Sequence, residues 1–377
     1  MVHNNFKGLS LSALGLGCMR FPVIDGDNSK IDMEKAQEIV DLAYSGGINY
    51  FDTAWPYHSG NSEIAMGKFL AKYPRDSYYL ATKFPGYDPS SFENAKNIFE
   101  KQLEKTGAGY FDFYLMHNVY ESNVDNYLDP GLGLMDYLIE MKKAGKIRHI
   151  GFSTHGKYET VKRFLDGYGD KLEFCQIQLN FIDWNYQNAK ALVELLNERN
   201  IPIWVMEPLR GGKLASLNEE DVSKLKSLRP DEKIPAWAFR FLETVPGVTM
   251  VLSGMSTIEQ VKDNLCTFSK KAPLTPEERE LILEIGNKMT NKYPCTSCKY
   301  CTDGCPSSIN IPEMIRLYNL YSFNKREKDL IGSIEKVNEG CRPSDCISCG
   351  ACASVCPQGI NIPEVMERIT KITSENK

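Results

Sequence analysis

Regularly spaced cysteines are the residues of this chain whose pattern indicates the most specific chemistry. Nine of the 12 cysteines lie between positions 295 and 356, and eight of these form two copies of the pattern C-x2-C-x2-C-x3-C-P. The first copy consists of Cys295, Cys298, Cys301 and Cys305, and the second of Cys346, Cys349, Cys352 and Cys356. This spacing is typical of chains that bind 4Fe-4S clusters, so the sequence predicts two clusters.

The fourth cysteine of each copy lies too far along the chain to close the same cluster, and in two-cluster ferredoxins it binds the other one. By that rule, one cluster is held by Cys295, Cys298, Cys301 and Cys356, and the second by Cys346, Cys349, Cys352 and Cys305. A pair of zinc sites is the alternative, because C-x2-C pairs also bind zinc. Zinc would require neither the third cysteine nor the proline of each copy.

The segment that carries these cysteines repeats itself at a constant offset. Residues 309–313 recur as residues 360–364, and the same 51 positions separate Cys295 from Cys346. Each half therefore offers cysteines followed by a helix that begins at a proline, and residues 312–320 and 328–337 are predicted to be helical. These features predict a small, mainly α-helical domain over residues 289–377, which resembles the helical variety of two-cluster ferredoxin.

The rest of the chain alternates short β-branched and aromatic runs with longer segments of helical periodicity, which is typical of β-α units around a parallel sheet. Eight strands are predicted, at residues 13–18, 49–54, 79–83, 113–117, 149–153, 174–180, 203–207 and 249–254. An open doubly wound sheet is the competing fold, but it usually has a glycine-rich turn after the first strand. We therefore expect an α/β fold, a (β/α)8 TIM barrel over residues 1–288.

Four polar residues stand at or just after neighbouring predicted strands. Asp52 comes near the end of the second strand, and Tyr57 follows in its loop. Lys83 ends the third strand and His117 ends the fourth. In β/α barrels the chemistry takes place at the C-terminal ends of the strands, so the four residues form a candidate active site.

The motifs around these four residues resemble the aldo-keto reductase family. The resemblance covers roughly residues 9–264 and rests on Phe51-Asp52-Thr53-Ala54, Tyr57, Gly60-Asn61-Ser62-Glu63, Ala81-Thr82-Lys83 and Leu115-Met116-His117. It implies a catalytic tetrad of Asp52, Tyr57, Lys83 and His117. In such a tetrad, Tyr57 protonates the alkoxide that hydride transfer leaves on a carbonyl. Lys83 lowers the pKa of that phenol and Asp52 holds Lys83 charged, while His117 orients the carbonyl.

The same resemblance implies contacts to a nicotinamide cofactor, NADH or NADPH. These contacts are Ser153 and Gln176 at the carboxamide with Asn180 near it, Met206 against the ring, Gly211 and Gly212 along the pyrophosphate, and Gln260 and Asn264 at the adenosine end. The family commonly has a tyrosine where Met206 stands, and a thioether can also pack on a ring face. The arginine that usually clamps a 2'-phosphate is missing, so the sequence leaves the choice between NADH and NADPH open.

Composition narrows the classes of partner and compartment. The formal net charge is −5 and the cationic residues are scattered, which predicts no nucleic-acid partner. The N-terminus has no apolar run and no stretch is long enough to span a bilayer, so we expect a cytoplasmic protein without a membrane partner. The three cysteines outside residues 295–356, which are Cys18, Cys175 and Cys266, are predicted to be buried thiols.

These observations favour an oxidoreductase that interconverts a small-molecule carbonyl and alcohol. The clusters then serve as a relay to an acceptor, as a docking surface for a redox partner protein, or as a structural lid. The alternative is an electron-transfer or redox-sensing protein that uses the barrel as a scaffold. Aromatic Trp55, Tyr120 and Trp184 follow predicted strands and are expected either to line an apolar pocket or to pack within their loops.

Overall fold

The computed structural model describes residues 1–295, 297–299, 301–302 and 304–374. Contacts divide the chain into two compact units, Met1–Ile282 and Leu283–Lys377. Within the described residues, no helix is both long and apolar enough to cross a membrane.

Ten strands form a short hairpin and a closed barrel in the first unit. They are β1 His3–Phe6, β2 Leu9–Ser12, β3 Leu14–Gly17, β4 Tyr50–Asp52, β5 Tyr79–Phe84, β6 Phe111–Val119, β7 Ile147–Thr154, β8 Cys175–Gln178, β9 Ile203–Met206 and β10 Val248–Ser253. The last eight pair in parallel in the order β10-β3-β4-β5-β6-β7-β8-β9. All eight predicted strands are therefore confirmed, with ends that differ by at most two residues, and the fold is a (β/α)8 barrel.

The hairpin of β1 and β2 closes the N-terminal end of the barrel. Its residue Phe6 is buried against the barrel interior, where its ring meets those of Trp204 at 5.0 Å and Phe113 at 5.7 Å. The sequence did not predict this hairpin, because two four-residue strands carry little periodicity. Its presence leaves the C-terminal end of the barrel as the face on which side chains can form a site.

Helices follow the barrel strands in the first unit. Twelve of them are α1 Met33–Ser45, α2 Ser62–Leu70, α3 Ser90–Glu93, α4 Ala95–Thr106, α5 Val124–Leu128, α6 Leu134–Lys143, α7 Tyr158–Tyr168, α8 Asp183–Tyr186, α9 Ala189–Glu198, α10 Glu219–Leu228, α11 Ile234–Leu242 and α12 Ile258–Thr267. The α1 helix begins where Asp32 accepts a hydrogen bond from the Lys35 amide, at 3.2 Å. Its buried residues lie on one face, as the 3.6-residue period requires.

The α13 helix, Pro276–Thr290, begins with reciprocal hydrogen bonds between Thr275 and Glu278, at 2.8 and 3.2 Å. The second unit contains α14 Ile311–Asn324, α15 Glu327–Glu335, α16 Ala351–Ser354 and α17 Ile362–Ser374. Equivalent isoleucines, Ile311 and Ile362, begin α14 and α17, each is followed by a proline, and both are buried in one core. The internal repeat thus yields two similar helices that share a core, and the expected helical ferredoxin-like unit is confirmed.

Candidate active site and cluster sites

Three adjacent strands bring the predicted tetrad together. Asp52 is the last residue of β4, Lys83 lies near the end of β5, and His117 lies in β6. These strands are neighbours in the barrel, and Asp52 pairs with Ala81, two residues before Lys83. Because parallel strands end at the same face, all three side chains reach the same end of the barrel.

The ammonium group of Lys83 connects the acidic and phenolic members of the tetrad. Its Nζ donates hydrogen bonds to Asp52 Oδ1 at 2.5 Å and to the Thr53 carbonyl at 2.8 Å. It also donates to the Tyr57 hydroxyl at 3.5 Å, which is a long contact. Lys83 is fully buried and Asp52 is only 2% exposed, so this charge pair lies outside bulk water.

Burial and charge oppose each other in setting the proton affinities of these groups. Burial lowers the pKa of Lys83, but the charge of Asp52 and contact with Tyr57 raise it, so that the net pKa lies above its usual value and the ammonium persists. Burial raises the pKa of the Tyr57 phenol, and although Lys83 lowers it, the net direction is upward. The expected effect of Lys83 is therefore present but is outweighed in the cofactor-free protein, where Tyr57 stays protonated at neutral pH.

His117 lies beside Tyr57 as a neutral imidazole. The two rings are 6.0 Å apart and nearly perpendicular, and the ring of Tyr87 also packs edge-on against His117, at 5.7 Å. Burial, with smaller effects of Lys83 and His155, holds the pKa of His117 well below its usual value. Among the described residues, its Nδ1 has no hydrogen-bond partner. One ring nitrogen of a neutral imidazole is a donor, so His117 can offer a hydrogen bond to a carbonyl oxygen.

Two cavities open at this end of the barrel. The tetrad cavity, of about 400 Å³, is bordered by Asp52, Tyr57, His117, Ser153, Gln176 and Met206. The glycine-loop cavity, of about 260 Å³, is bordered by Gly211, Gly212, Gln260 and Asn264. Arg20, Glu207, Leu252 and Gly254 border both cavities. The structure thus places seven of the eight predicted nucleotide contacts on two adjoining cavities.

The predicted carboxamide contacts differ in their hydrogen-bond partners. Gln176 Nε2 contacts the sulfur of Met206 at 3.6 Å, while its buried Oε1 has no partner among the described residues. Asn180 borders neither cavity. Its side chain donates to Asp183 at 2.6 Å and to the Glu207 carbonyl at 3.0 Å, so it braces the loops after β8 and β9.

Sequence reasoning missed Arg20 and Glu207, which approach each other to 3.6 Å on the wall shared by the two cavities. Each of them follows a barrel strand, and this position is the feature of the sequence that could have marked them as residues of the site. None of the aromatic residues Trp55, Tyr120 and Trp184 borders the tetrad cavity. Cys18 and Cys175 are buried as expected, whereas Cys266 is exposed.

In the second unit, the predicted cysteine sets surround two separate small cavities. One cavity is bordered by Cys295, Cys298, Cys301 and Cys356, and the other by Cys305, Cys346, Cys349 and Cys352. Within the described residues, no three metal-ligating side chains converge closely enough to hold a single ion. Four thiol groups that border a cavity lined by isoleucine and proline fit a cluster of several irons.

Comparisons with known proteins agree with both units. A model of the aldo/keto reductase family matches residues 13–287, and a model of the 4Fe-4S dicluster domain matches residues 294–360. The chain is 25% identical to the NADH-specific methylglyoxal reductase of Escherichia coli over 304 residues, which are 69% of this chain and 91% of the relative. It is 28% identical to the L-galactose dehydrogenase of Arabidopsis thaliana over 312 residues, covering 75% and 94% of the two chains.

A solved structure, the holo form of an aldo-keto reductase from Bacillus halodurans, is similar with a TM-score of 0.62 and 26% identity. The similarity covers 75% of this chain and 95% of that one.

Proposed function

The chain belongs to the aldo/keto reductase family and carries a C-terminal 4Fe-4S dicluster domain, and we propose that it interconverts a carbonyl and an alcohol with NAD(P)H, using Tyr57 as general acid and base. When bound, the nicotinamide supplies or accepts the hydride. The observation that carries this proposal is the buried Lys83 ammonium, hydrogen-bonded to Asp52 at 2.5 Å and to the Tyr57 hydroxyl at 3.5 Å.

In the reductive direction, Tyr57 donates its phenolic proton to the developing alkoxide. Lys83 then stabilises the phenolate, because an ammonium within hydrogen-bond distance favours the anion. Asp52 keeps Lys83 charged and fixed in position. In the oxidative direction the phenolate takes the hydroxyl proton, so the same residue serves as base. His117 holds the carbonyl oxygen by a hydrogen bond from its neutral ring.

The nucleotide is proposed to extend across both cavities. Gln176 has an unpartnered buried Oε1 that can accept from a carboxamide N–H, and the Ser153 hydroxyl lies on the same cavity. Gly211 and Gly212 have positive φ angles of 67° and 94°, which bring the backbone of that turn close to the glycine-loop cavity without a side chain. Asn180, in contrast, is proposed to act only by bracing these loops.

Replacement of Tyr57 by Phe tests this function. We expect Tyr57→Phe to lower kcat for carbonyl reduction by about 10²–10⁴-fold, because it removes the proton donor alone. The dissociation constant of the nucleotide and the iron content should stay within about twofold. Tyr110→Phe is the matched control, since Tyr110 precedes β6 at the opposite end of the barrel. Turnover retained by Tyr57→Phe would remove Tyr57 from the mechanism.

We further propose that the second unit binds two 4Fe-4S clusters through the two cysteine sets that surround its cavities. A hydride carries two electrons and each cluster accepts one, so exchange between them requires an intermediary. The visible spectrum of anaerobically purified protein, recorded before and after addition of NADH, distinguishes two roles for the clusters. Bleaching without substrate would support electron transfer to them. An unchanged spectrum during substrate turnover would support a structural or partner-facing role.

The alternative, an electron-transfer or redox-sensing protein with the barrel as scaffold, requires no working tetrad. The paired and buried Asp52 and Lys83 favour the enzymatic role, because a scaffold has no need for a costly buried ion pair at the barrel mouth. Substrate-dependent oxidation of NADH or NADPH that Tyr57→Phe abolishes would exclude the scaffold role.

A further inference from the structure

We propose that the glycine-loop cavity selects NADH over NADPH, because Asp263 and the scarcity of cations on its wall disfavour a 2'-phosphate. This inference rests on the proposed function for the presence of a nicotinamide nucleotide.

The position of the tetrad determines which half of the nucleotide occupies the glycine-loop cavity. Hydride transfer takes place beside Tyr57 and His117, so the nicotinamide must lie in the tetrad cavity. A dinucleotide is too long for that cavity alone, and the glycine-loop cavity shares a wall with it through Arg20, Glu207 and Gly254. The adenosine half, including the ribose that bears the 2'-phosphate of NADPH, therefore occupies the glycine-loop cavity.

The charges that border this cavity are mostly negative. Among the described residues that line it, Arg20 is the one cation, whereas Glu207 and Asp263 are carboxylates. Arg20 already lies 3.6 Å from Glu207 on the wall shared with the tetrad cavity. Its Nη2 also lies 3.3 Å from the position of a Cβ built on Gly211, one of the glycines proposed to lie along the pyrophosphate, and Glu207 partly neutralises its charge.

The far wall is formed by α12, which presents Gln260, Asp263 and Asn264. Asn264 is buried and donates to Ser253 Oγ at 3.1 Å, and Gln260 accepts a hydrogen bond from the Ser256 amide at 2.7 Å. Both polar side chains are therefore held in place by the cavity wall itself. Lys262, on the same helix, does not border the cavity.

Within the part of the chain that the structure describes, Asp263 is the one charged residue that α12 presents to this cavity. Its carboxylate pairs with Lys233 at 2.5 Å, but the two side chains are 38% and 65% exposed. Such an exposed pair is weak and screened by water, so the carboxylate remains available to accept a hydrogen bond from a ribose hydroxyl. A 2'-phosphate, which carries almost two negative charges at neutral pH, would meet the same carboxylate with repulsion.

Binding measurements on the full-length protein test this inference without any turnover. We expect NADH to bind at least about tenfold more tightly than NADPH in titrations followed by nucleotide fluorescence, a free-energy difference of about 1.4 kcal/mol. As competitors of NADH, 5'-AMP should bind more tightly than adenosine 2',5'-bisphosphate, which is the same order of affinity as for the two nucleotides. The difference should narrow at roughly 0.5 M salt, because screening weakens like-charge repulsion.

Two variants test whether the preference for NADH arises from the α12 wall of the cavity. Asp263→Asn should narrow the preference for NADH several-fold by removing a negative charge, and Gln260→Arg should narrow it by adding a cation. The affinity for NADH should change less than the affinity for NADPH in both. Glu259→Gln is the control, since Glu259 lies on α12 but does not border the cavity.

Equal or tighter binding of NADPH by the native protein would overturn the inference, as would variants that leave the preference unchanged. Failure of both nucleotides to bind would overturn the proposed function and this inference together. A clear preference for NADH combined with full turnover by Tyr57→Phe would refute the proposed mechanism alone.

Discussion

Replacing Lys83 by Met removes the ammonium that lies between Asp52 and Tyr57 while keeping the length of the side chain. The Oδ1 atom of Asp52 accepts its hydrogen bond from Lys83, and Oδ2 has no partner among the described residues. The substitution would therefore leave an almost fully buried carboxylate without a donor on either oxygen. Loss of one partner from a buried ion pair costs about 3–5 kcal/mol of stability, so we expect Lys83→Met to destabilise the barrel by that amount at pH 7.

Urea unfolding followed by the fluorescence of the buried Trp204 and Trp237 measures this cost. The double variant Asp52→Asn/Lys83→Met should recover part of it, because it removes the uncompensated charge. Lys72→Met is the control, since Lys72 and Asp41 form an exposed ion pair. Loss of such a pair should lower the free energy of unfolding by less than about 1 kcal/mol.

The pH dependence gives a second check on the same variant. Burial raises the pKa of Asp52 above its unfolded value, and removal of Lys83 should raise it further. A carboxyl group with a raised pKa stabilises the fold when protonated, and this contribution is lost as the pH rises. The loss of unfolding free energy caused by Lys83→Met should therefore become smaller as the pH falls from 7 towards 4. A cost below about 1 kcal/mol at pH 7, or a deficit that does not change with pH, would refute the reasoning.

Other expectations concern catalysis, cluster ligation and packing. Because burial raises the pKa of Tyr57 above its usual value, kcat for reduction should be constant over roughly pH 6–9; a decline centred below pH 8 would contradict the raised pKa. The double variant Cys298→Ala/Cys356→Ala should retain about four irons per chain if the fourth cysteines are exchanged between the copies, and almost none if each copy binds its own cluster. Gly67→Ala should cost about 1–3 kcal/mol in urea unfolding, since its Cβ would lie 2.7–2.9 Å from backbone atoms at the end of α4. Gly332→Ala has open space around it within α15 and should instead stabilise the second unit by about 0.5–1 kcal/mol; equal effects of the two substitutions would argue against the packing account.

The parts of this structure that the sequence could predict are those with a strong local signal. The barrel strands have apolar runs of the right length, and Asp32, which caps α1, stands directly before a segment with helical periodicity. Asp52, Lys83 and His117 could be predicted as site residues for the same reason. Once the strands are predicted, the residues at their ends are known.

Features that depend on distant parts of the chain could not be predicted in this way. Arg20 and Glu207 resemble any charged loop residues in the sequence, and only closure of the barrel brings them together. Trp184 packs instead against Phe241, at 5.9 Å, and under the guanidinium of Arg279. The net pKa of Tyr57 also depends on burial, which no local pattern reveals.

The hairpin that closes the base of the barrel has a consequence for folding. The hairpin is synthesised before the barrel that it closes, yet Asn4 donates a hydrogen bond to the Thr249 carbonyl, 245 positions later, and the Val2 amide donates to the Phe268 carbonyl. Contacts of such long sequence separation slow folding, because the chain must close a large loop before gaining them. During translation Phe6 therefore has no barrel interior to enter until nearly the whole first unit has left the ribosome. The emerging chain exposes apolar surface for that period, which is the interval in which chaperones act and aggregation competes with folding.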